Sequence, residues 1–521
     1  MNLLKAASTV SLLTLASRVT GLIREMLVAA TFGATATTDA FNVAFRLPNL
    51  LRRLFAEGAF SQAFVPLLAA SRERQGDEAT RRLIDAVATV LLWALIATSV
   101  LGVLGAPILV WLIAEGLRDG GSFDQAVVMT RIMFPYIGFM SMVALSAGIL
   151  NTWKRFAVPA ATPVLMNLCF IGAALWLVPQ FKAWGIEPIY ALAVGVMAGG
   201  VLQLAVQLPA LRRIGAWPRL GFTPGRIREA WRHDGVHRIL RQMAPALVGV
   251  SVAQVSLLIN TQIASHVAVG GVSWLTYADR LMEFPTALLG VALGVVLTPQ
   301  LSAAQARNDS VGYSGLLDWG LRLVLLLALP CAVALLVFAQ PLVAVLYHRG
   351  AFDVEALQRT TTAVMGYGVG LIGLVGVKIV APGFYARQDI RTPVKVAVVV
   401  LCLTQLMNLL FVPWLGVAGL ALSIGLGAVI NAVWLLIGLR RLGSYTPLPG
   451  WWGFLLRVGL ACACMGAGLW AAGHYLDWVA LGQHQWLRAG WMAGVLGAAA
   501  LLYFGVLVAL GLRPRDFMRR S

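Results

Sequence analysis

Residues 86–114 read AVATVLLWALIATSVLGVLGAPILVWLIA and contain no charged side chain. A transmembrane helix needs about 20 consecutive apolar residues, whereas a strand of an outer-membrane barrel needs only about 10. Because helix-length apolar runs recur along the chain, the sequence predicts transmembrane helices. The composition agrees, since 59% of the 521 residues are hydrophobic and only 12% are charged. A soluble fold of this size could not hide so much apolar surface from water.

The hydropathy pattern predicts an all-α polytopic membrane protein with fourteen transmembrane helices. Helices 1 and 2 are the more polar ones and cover about residues 5–32 and 37–69. The other twelve are predicted to begin near Leu83, Val127, Pro159, Ile189, Met243, Trp274, Leu321, Thr361, Val394, Val417, Phe454 and Leu487. Residues 1–17 resemble a signal peptide, but no small-residue cleavage site follows, so they are assigned to helix 1.

Charge alternates between successive connections. Basic residues follow every even-numbered helix, as in Arg440 and Arg441 after helix 12. The opposite connections carry little more than Arg118, Lys182 and Arg349. Because cytoplasmic loops of membrane proteins are enriched in Lys and Arg, both termini and the connection 212–240 are expected in the cytoplasm.

The net charge of +18 does not indicate a nucleic-acid partner, because the basic residues are dispersed in short clusters without a basic domain. The five cysteines lie in apolar runs and are expected to be reduced packing residues. The sequence contains no Walker A motif and no H-E-x-x-H motif. We therefore expect a protein that is not an enzyme, with no catalytic residues, no bound metal and no cofactor.

Two segments of the chain match without a gap. Residues 191–215 align with residues 419–443, and both end on Leu-Arg-Arg-x-Gly. The match pairs helices 1–6 with helices 7–12 as two parallel, pseudo-symmetric lobes, a plan typical of transporters that bind substrate between lobes. Chance recurrence of small-residue packing motifs is the alternative. The predicted domains are an N-lobe at 1–215, a basic cytoplasmic linker at 216–240, a C-lobe at 241–445, and two extra helices with a basic tail at 446–521.

Helix 2 carries a polar stripe. Its members fall three or four residues apart and so share one helical face: Asp39, Asn42, Arg46, Asn49, Arg53 and Glu57. Charged side chains inside a membrane are costly, so this face indicates a polar cavity. The alternative is that Arg52 and its neighbour Arg53 extend to an interface, but this leaves Asp39 and Glu57 unexplained.

Helix 1 adds two further arginines. Ser17, Arg18 and Arg24 recur near helical spacing, so two guanidinium groups can face the same interior. Arg18 interrupts the middle of the segment. For Arg24, an interfacial ion pair with Glu25 is the alternative.

Helices 8 and 10 supply candidates from the second half of the chain. Helix 8 contains Ser273, Asp279, Arg280 and Glu283, and a self-contained Asp279–Arg280 pair is the alternative to a binding role. Lys378 stands alone in helix 10, where it acts either on substrate or coupling or only extends to an interface. Because arginine binds phosphate oxygens bidentately and stays charged, a cation from each lobe is expected to hold one anion.

Several motifs resemble the MurJ (MviN) lipid II flippases of the multidrug/oligosaccharidyl-lipid/polysaccharide exporter superfamily. The resemblance extends over nearly the whole chain. The motifs are SRVTG at 17–21, TDAF at 38–41, FRLPNLLRR at 45–53, FAEGAFSQAFVP at 55–66, YADRLMEFP at 277–285 and APGFYARQD at 381–389.

The resemblance implies fourteen helices in two lobes with an extra pair beside the cavity. It implies that undecaprenyl-linked lipid II, a peptidoglycan precursor, moves by alternating access from the cytoplasmic to the periplasmic leaflet of the bacterial cytoplasmic (inner) membrane. Such a protein serves cell wall biogenesis and cell shape. Membrane lipids are further expected partners, and cell-wall synthesis proteins are candidate ones.

The residues that the resemblance implies in substrate binding are Ser17, Arg18, Arg24, Asp39, Arg52, Glu57, Ser273 and Arg280. Secondary candidates, for substrate binding or conformational change, are Arg46, Arg53, Asp279, Glu283 and Lys378. The substrate has an anionic pyrophosphate and a polyprenyl tail, so arginines are expected to bind the first and helices 13 and 14 the second.

Two questions stay open at this point. The energy source is expected to be the membrane potential or a coupling cation, because outward movement of negative charge is favoured by a negative interior. The rival functions are an ion-coupled multidrug exporter of the same superfamily and a membrane-embedded transferase acting on polyprenyl phosphates. The first should have a carboxylate-rich cavity and the second acidic cytoplasmic loops, whereas this sequence has surplus arginine and basic loops.

Overall fold

Lipid offers no hydrogen-bond partners, so the apolar runs satisfy their backbone groups internally as helices. The computed structural model of the chain describes residues 3–53 and 60–512. All regular secondary structure in these ranges is helical, which confirms the predicted all-α class. Ten helical stretches in the described ranges are long and apolar enough to cross a membrane. The total of fourteen spans stays a prediction.

The chain divides into two compact units, Met1–Val272 and Ser273–Ser521. The helices of the first unit are α1 (Leu3–Phe32), α2 (Ala36–Leu51), α3 (Ser61–Leu104), α4 (Ala106–Ala114), α5 (Phe123–Met133), α6 (Tyr136–Thr152), α7 (Ala157–Gly172), α8 (Val178–Ala183), α9 (Tyr190–Arg213), α10 (Pro224–Arg232) and α11 (Asp234–Val267). In this unit α1 packs on α7, α2 on α5, and α3 on α6 and α11.

Helix α12 (Gly271–Pro285) begins at the boundary and continues into the second unit. The remaining helices of that unit are α13 (Ala292–Ala306), α14 (Ser310–Val337), α15 (Ala339–Tyr347), α16 (Val354–Tyr385), α17 (Arg391–Leu415), α18 (Val417–Arg441), α19 (Trp451–Tyr475) and α20 (Gln485–Ala509). Helix α16 lies at the centre of this unit and packs against α13, α14, α15 and α18.

Helix α16 approaches α18 closely because small residues line both surfaces. A Cβ atom added at Gly370 would lie 2.0 Å from the Cα atom of Gly425. Small residues at such crossings bring two backbones into van der Waals contact, the main source of helix association in a membrane. Any larger side chain at Gly370 would push the two helices apart.

The connection predicted after helix 2 is a sharp turn at one residue between two helical stretches, and it brings the hydroxyls of Ser71 and Thr80 to within 3.4 Å of each other. Helix α2 ends at Leu51, and α3 then runs from Ser61 to Leu104 through the basic stretch around Arg72. Its helical geometry is interrupted at Gly76, where φ is +81°. The chain stays helical on both sides because Arg, Glu and Gln favour helix, and glycine alone adopts this φ at little cost.

The two gapless matching segments adopt the same local structure. They correspond to α9 and α18, and each helix ends at a glycine with φ near +67°, Gly215 (+67°) and Gly443 (+68°). In both, the glycine N–H donates to the carbonyl three residues earlier at 3.0 Å. The next N–H donates to the carbonyl five residues earlier, which completes the glycine-terminated helix end. The similarity of helices 6 and 12 is therefore confirmed for these elements.

The division into compact units falls between Val272 and Ser273, later in the chain than the predicted linker at 216–240, and the bounds of the lobes stay predictions. Helix α11, which includes the start of the predicted C-lobe at residue 241, packs against α3 and α4 of the first unit. The pairing of two six-helix lobes stays a prediction.

Candidate functional site

Arg24 of α1 is held by a carboxylate, an amide and an aromatic ring. Its guanidinium forms an ion pair with Glu25, and Nη1 donates to Oδ1 of Asn167 at 3.1 Å. The same group lies 4.9 Å from the centre of the Phe170 ring. The Arg24 side chain is only 14% exposed. The interfacial pair considered from the sequence does form, but it forms largely inside the protein.

Asn167 of α7 fixes the helix that carries Arg24. Its Nδ2 donates to the backbone carbonyl of Ser17 at 2.9 Å and to Oγ1 of Thr20 at 3.1 Å. A single buried amide therefore contacts three successive turns of α1. The network sets the position of Arg24, whereas Arg18 on the same helix is exposed.

Aromatic rings form one wall beside Arg24. Phe170 contacts Phe41 and Phe45 of α2 in edge-to-face geometry, with ring centres 5.9 and 5.7 Å apart. Tyr136 of α6 extends the cluster, 6.4 Å from Phe45. These rings exclude water from one side of the guanidinium, which strengthens its interaction with any anion on the other side.

The polar stripe of α2 is engaged by neighbouring parts of the first unit. Asp39 is buried, and its Oδ2 accepts a hydrogen bond from the backbone N–H of Gly270 at 2.7 Å. Arg46 donates to the hydroxyl of Thr261 on α11. Asp39 and Arg46 therefore tie α2 to α11 and to the turn that follows it.

The end of α2 carries the two consecutive arginines of the motif. Nε of Arg52 donates to Oδ1 of Asn49 at 3.1 Å, so the arginine that lies off the predicted stripe still bonds to a member of it. The Arg53 side chain is exposed. Glu57, the last predicted member, lies outside the described residues.

In the second unit, Arg280 is paired with Glu283 one turn later on α12. Nη1 of Arg280 lies 2.8 Å from Oε2 of Glu283, and the two side chains are 33% and 47% exposed. Ser273 is fully buried at the start of the same unit, and Asp279 is partly buried. Lys378 on α16 donates from Nζ to the carbonyl of Thr286 at 3.5 Å.

The structure thus groups the predicted residues by unit. Ser17, Arg18, Arg24, Asp39, Arg46, Arg52 and Arg53 belong to the first unit, and Ser273, Asp279, Arg280, Glu283 and Lys378 belong to the second. Within the described ranges, no three His, Cys, Asp or Glu side chains come together as a metal site.

Asn167 and Thr261 were missed from the sequence. Asn167 is a single polar residue in an apolar stretch of α7, and this isolation is a signal in the sequence. Thr261 lies in the polar run Asn260-Thr261-Gln262 of α11, so nothing in the sequence distinguishes it from its neighbours. Helical spacing could not identify their partners, because it relates residues along one helix and carries no information about contacts between helices.

Comparison with solved structures identifies the class of this fold. A multidrug resistance MATE family transporter of the MOP superfamily, in an inward-facing conformation, matches with a TM-score of 0.64. This match has 14% identity and covers 82% of this chain and 95% of the transporter. A lipid II flippase MurJ in an inward closed conformation matches with a TM-score of 0.78 and 23% identity, over 98% of this chain and 99% of that one. The fold is that of a membrane transporter.

Sequence comparison then gives the family. The chain belongs to the family described as lipid II flippase MurJ, whose model matches residues 28–489. The lipid II flippase MurJ of Burkholderia cenocepacia is 53% identical, over the full length of both chains. A probable lipid II flippase MurJ of Vibrio cholerae is 38% identical, over 99% of this chain and 97% of that protein. The predicted family is therefore confirmed.

Proposed function

We propose that this protein is a lipid II flippase of the bacterial inner membrane. It moves undecaprenyl-linked lipid II from the cytoplasmic to the periplasmic leaflet by alternating access. The observation that carries the proposal is the full-length 53% identity to a lipid II flippase, together with the family match. A flipped lipid is chemically unchanged, so the protein needs neither a catalytic group nor a cofactor and is not an enzyme.

The substrate's pyrophosphate is bound by arginines that already have carboxylate partners. Arg24 pairs with Glu25 in the first unit, and Arg280 pairs with Glu283 in the second. A pyrophosphate oxygen can replace each carboxylate, because guanidinium groups bind both anions with the same planar donors. The glutamates then act as exchangeable partners that keep the arginines neutralised between transport cycles.

The other predicted residues support binding in different ways. Arg18 and Arg52 add positive charge on α1 and α2, in the same unit as Arg24, and Ser17 and Ser273 are proposed from the family motif. Asp39 holds α2 to the turn at Gly270, which is a role in conformation rather than in phosphate binding. Glu57 is proposed from the family motif alone.

The polyprenyl tail is bound by α19 and α20. These helices pack on each other and present apolar side chains outward, including Leu456, which is 71% exposed, and Leu501, which is 77% exposed. Lipid can therefore contact a long apolar surface here. Both termini lie in the cytoplasm, as the alternation of basic connections predicts.

The test is transport of fluorescent lipid II by the full-length protein reconstituted in vesicles. Arg24→Ala and Arg280→Ala should each lower the rate at least about tenfold, since each removes a charge-assisted bond to phosphate. Arg359→Ala is the matched control, because Arg359 is an exposed arginine paired with Glu355 on α16. It should transport like the unchanged protein.

Two outcomes would contradict the proposal. Equal transport by all three variants would show that Arg24 and Arg280 do not belong to the substrate site. Transport of cationic drugs, with no transport of lipid II by the unchanged protein, would instead support the multidrug exporter.

A further inference from the structure

A second pair of arginines lies far along the chain from the motifs of the flippase family. Arg349 follows α15, and Arg488 lies in the first turn of α20. Both belong to the second unit. They come from the odd-numbered connections, which the charge pattern predicts to be periplasmic.

Arg488 is a buried cation with incomplete hydrogen bonding. It is 1% exposed and is the largest of the fully buried side chains in the described ranges. Its Nη2 donates to the backbone carbonyl of His348 at 3.2 Å. Its Nε and Nη1 are buried without an acceptor among the described residues. Leaving a buried donor unpaired costs about 1–3 kcal/mol, and more when the group is charged.

The hydrogen bonding of Arg349 is also incomplete. One of its terminal nitrogens donates to the carbonyl of Val345, but its buried Nε has no acceptor within residues 3–53 and 60–512. In those same ranges, neither Arg349 nor Arg488 forms an ion pair with a carboxylate. The nearby carboxylate of Asp353 instead caps α16 by accepting from the N–H of Ala356 at 2.7 Å.

The surroundings are electrostatically positive. Burial lowers the pKa of Arg349. Burial and, next, the charge of Arg488 lower the pKa of the intervening His348, while Asp353 opposes this. The buried Arg488 and the partly buried Arg349 lack a carboxylate partner among the described residues, which is unfavourable, so this region favours an anion.

The flanking residues indicate the depth of this region in the membrane. Trp486 is 92% exposed and Tyr475 is 80% exposed, at the two ends of the connection between α19 and α20. Tyr and Trp are enriched at the level of the lipid headgroups. Arg488 lies two residues after Trp486, so lipid phosphates are available at the level of its guanidinium.

A short turn, Ala480–Gln483, covers the guanidinium of Arg488. A Cβ atom added at Gly482 in this turn would lie 3.1 Å from Nη1 of Arg488. Because Gly482 has no side chain, only the backbone of the turn has to move for a phosphate to reach Nη1. A small outward shift of this partly exposed turn would open that approach.

We propose that Arg349 and Arg488 form a phosphate-binding site, separate from the lipid II site, that takes the phosphate of a phospholipid headgroup or a free phosphate ion. A phosphate supplies acceptors for the unpaired guanidinium nitrogens and neutralises both charges. Binding there stabilises the connection between α15, α16 and α20. The proposal is independent of the flippase activity, because it concerns stability and lipid binding rather than transport.

The test measures lipid binding and thermal unfolding of the full-length, delipidated protein in detergent. Phosphatidylglycerol, diacylglycerol and inorganic phosphate are added in separate arms, with gluconate keeping the ionic strength constant. Native mass spectrometry gives the dissociation constant for lipid, and tryptophan fluorescence gives the unfolding temperature. Arg488→Gln and Arg349→Gln should each weaken phosphatidylglycerol binding at this site at least about tenfold.

The control variants distinguish phosphate binding at this site from a general effect of removing positive charge. Arg359→Gln removes an exposed arginine of the same unit and should leave binding unchanged. Gly482→Ala keeps every charge but narrows the approach to Nη1, and it should also weaken binding. It keeps the proposal testable if Arg488→Gln fails to fold.

Each result has one meaning. An Arg488-dependent rise in unfolding temperature with phosphatidylglycerol, absent with diacylglycerol, supports a lipid phosphate. The same rise with inorganic phosphate alone supports a free ion. Equal binding and equal temperature shifts in the unchanged protein, Arg349→Gln and Gly482→Ala would overturn the proposal.

Discussion

Arg24 and Arg280 share a chemical arrangement although they lie in different units. Each guanidinium is paired with a glutamate that is adjacent or one turn away on its own helix. A buried cation without such a partner would carry a large desolvation cost. The same pairing must weaken substrate binding, because the phosphate has to compete with the carboxylate. The glutamates therefore lower the affinity for the substrate and favour its release.

Removing the carboxylate of Glu25 should favour substrate binding over release. Glu25→Gln abolishes the ion pair while Asn167 and Phe170 still hold Arg24. We expect about tenfold tighter binding of lipid II, since a charge-assisted bond no longer has to be replaced, together with slower transport. Equilibrium binding to labelled lipid II in detergent gives the first quantity and vesicle transport the second.

The control for this change is Glu355→Gln, which removes the carboxylate of an exposed pair with Arg359. It should alter neither binding nor transport, because exposed ion pairs contribute little. Weaker binding of lipid II by Glu25→Gln would mean that the carboxylate positions Arg24 rather than competing for it.

For single residues, the sequence predicts which side chains belong to the candidate site better than it predicts what those side chains contact. Arg24 and Arg280 stand out because charge is rare inside apolar segments. Helical spacing then predicts which residues of the same helix share a face with each arginine. Asn167, the partner of Arg24, and Thr261, the partner of Arg46, come from other helices, α7 and α11. Contacts of this kind depend on how helices cross, which spacing along one helix does not determine.

Among the elements, α14 binds the turn between α18 and α19 through one buried carboxylate. Oδ1 of Asp318 accepts from the hydroxyl of Tyr445 at 3.0 Å, the N–H of Leu448 at 3.1 Å and Nε1 of Trp451 at 2.8 Å. Its Oδ2 pairs with Nε of Arg322 at 2.8 Å. Burial and the Asp318 charge raise the pKa of Tyr445, so its hydroxyl keeps the proton that it donates. This cluster fixes where α19 begins.

Loss of this carboxylate should destabilise the protein strongly. Asp318→Ala leaves three donors without their acceptor and leaves Arg322 without its carboxylate partner. Breaking a buried pair costs about 3–5 kcal/mol, and we expect a decrease in the free energy of unfolding toward the lower end, since Arg322 is partly exposed. Unfolding in mixed detergent micelles, followed by tryptophan fluorescence, measures it.

Asp309→Ala on the same helix is the comparison. Asp309 caps α14 by accepting from the N–H of Gly312 at 2.7 Å, and loss of a cap costs about 1 kcal/mol. If the two variants unfolded equally easily, the Asp318 cluster would be no more than a local cap.

The ends of elements follow partly from sequence. The shared Leu-Arg-Arg-x-Gly pattern predicts equivalent helix ends, and Gly215 and Gly443 adopt the same left-handed conformation. The region around Gly76 is different, because the charges predict the connection there but do not predict that a single glycine makes the turn between two helical stretches. Charge reports exposure to water, and helix formers can be exposed without leaving the helix.

For the whole molecule, hydropathy is sufficient for the all-helical class, because lipid admits only helices and closed barrels and the apolar runs are too long for barrel strands. The division into units is harder to predict. Helix α11 follows the cytoplasmic linker and starts the predicted C-lobe, and its packing on α3 and α4 does not decide to which lobe it belongs. Linker position reflects the order of the chain, whereas packing reflects which apolar and small-residue surfaces fit together.

The charge of substrate and protein also determines how transport should respond to voltage. Each negative charge that moves outward from a negative interior gains roughly 2.3 kcal/mol per 100 mV. In the emptied site Glu25 and Glu283 neutralise Arg24 and Arg280, so the net positive charge that this field draws back toward the interior comes from the other arginines of α1 and α2. We propose that the membrane potential therefore favours both outward transport of the pyrophosphate and return of the site.

Collapse of the potential should slow transport in reconstituted vesicles. With potassium and valinomycin setting the voltage, and with pH and sodium gradients held at zero, removing 100 mV should lower the rate at least about fivefold. Arg24→Gln, which removes one charge from the returning site, should show a smaller dependence on voltage than the unchanged protein. Separate arms impose a sodium or proton gradient at zero voltage, so that a coupling cation is detected independently. If the rate follows either gradient and does not change with voltage, the driving force is a coupled cation, and the arginines serve binding alone.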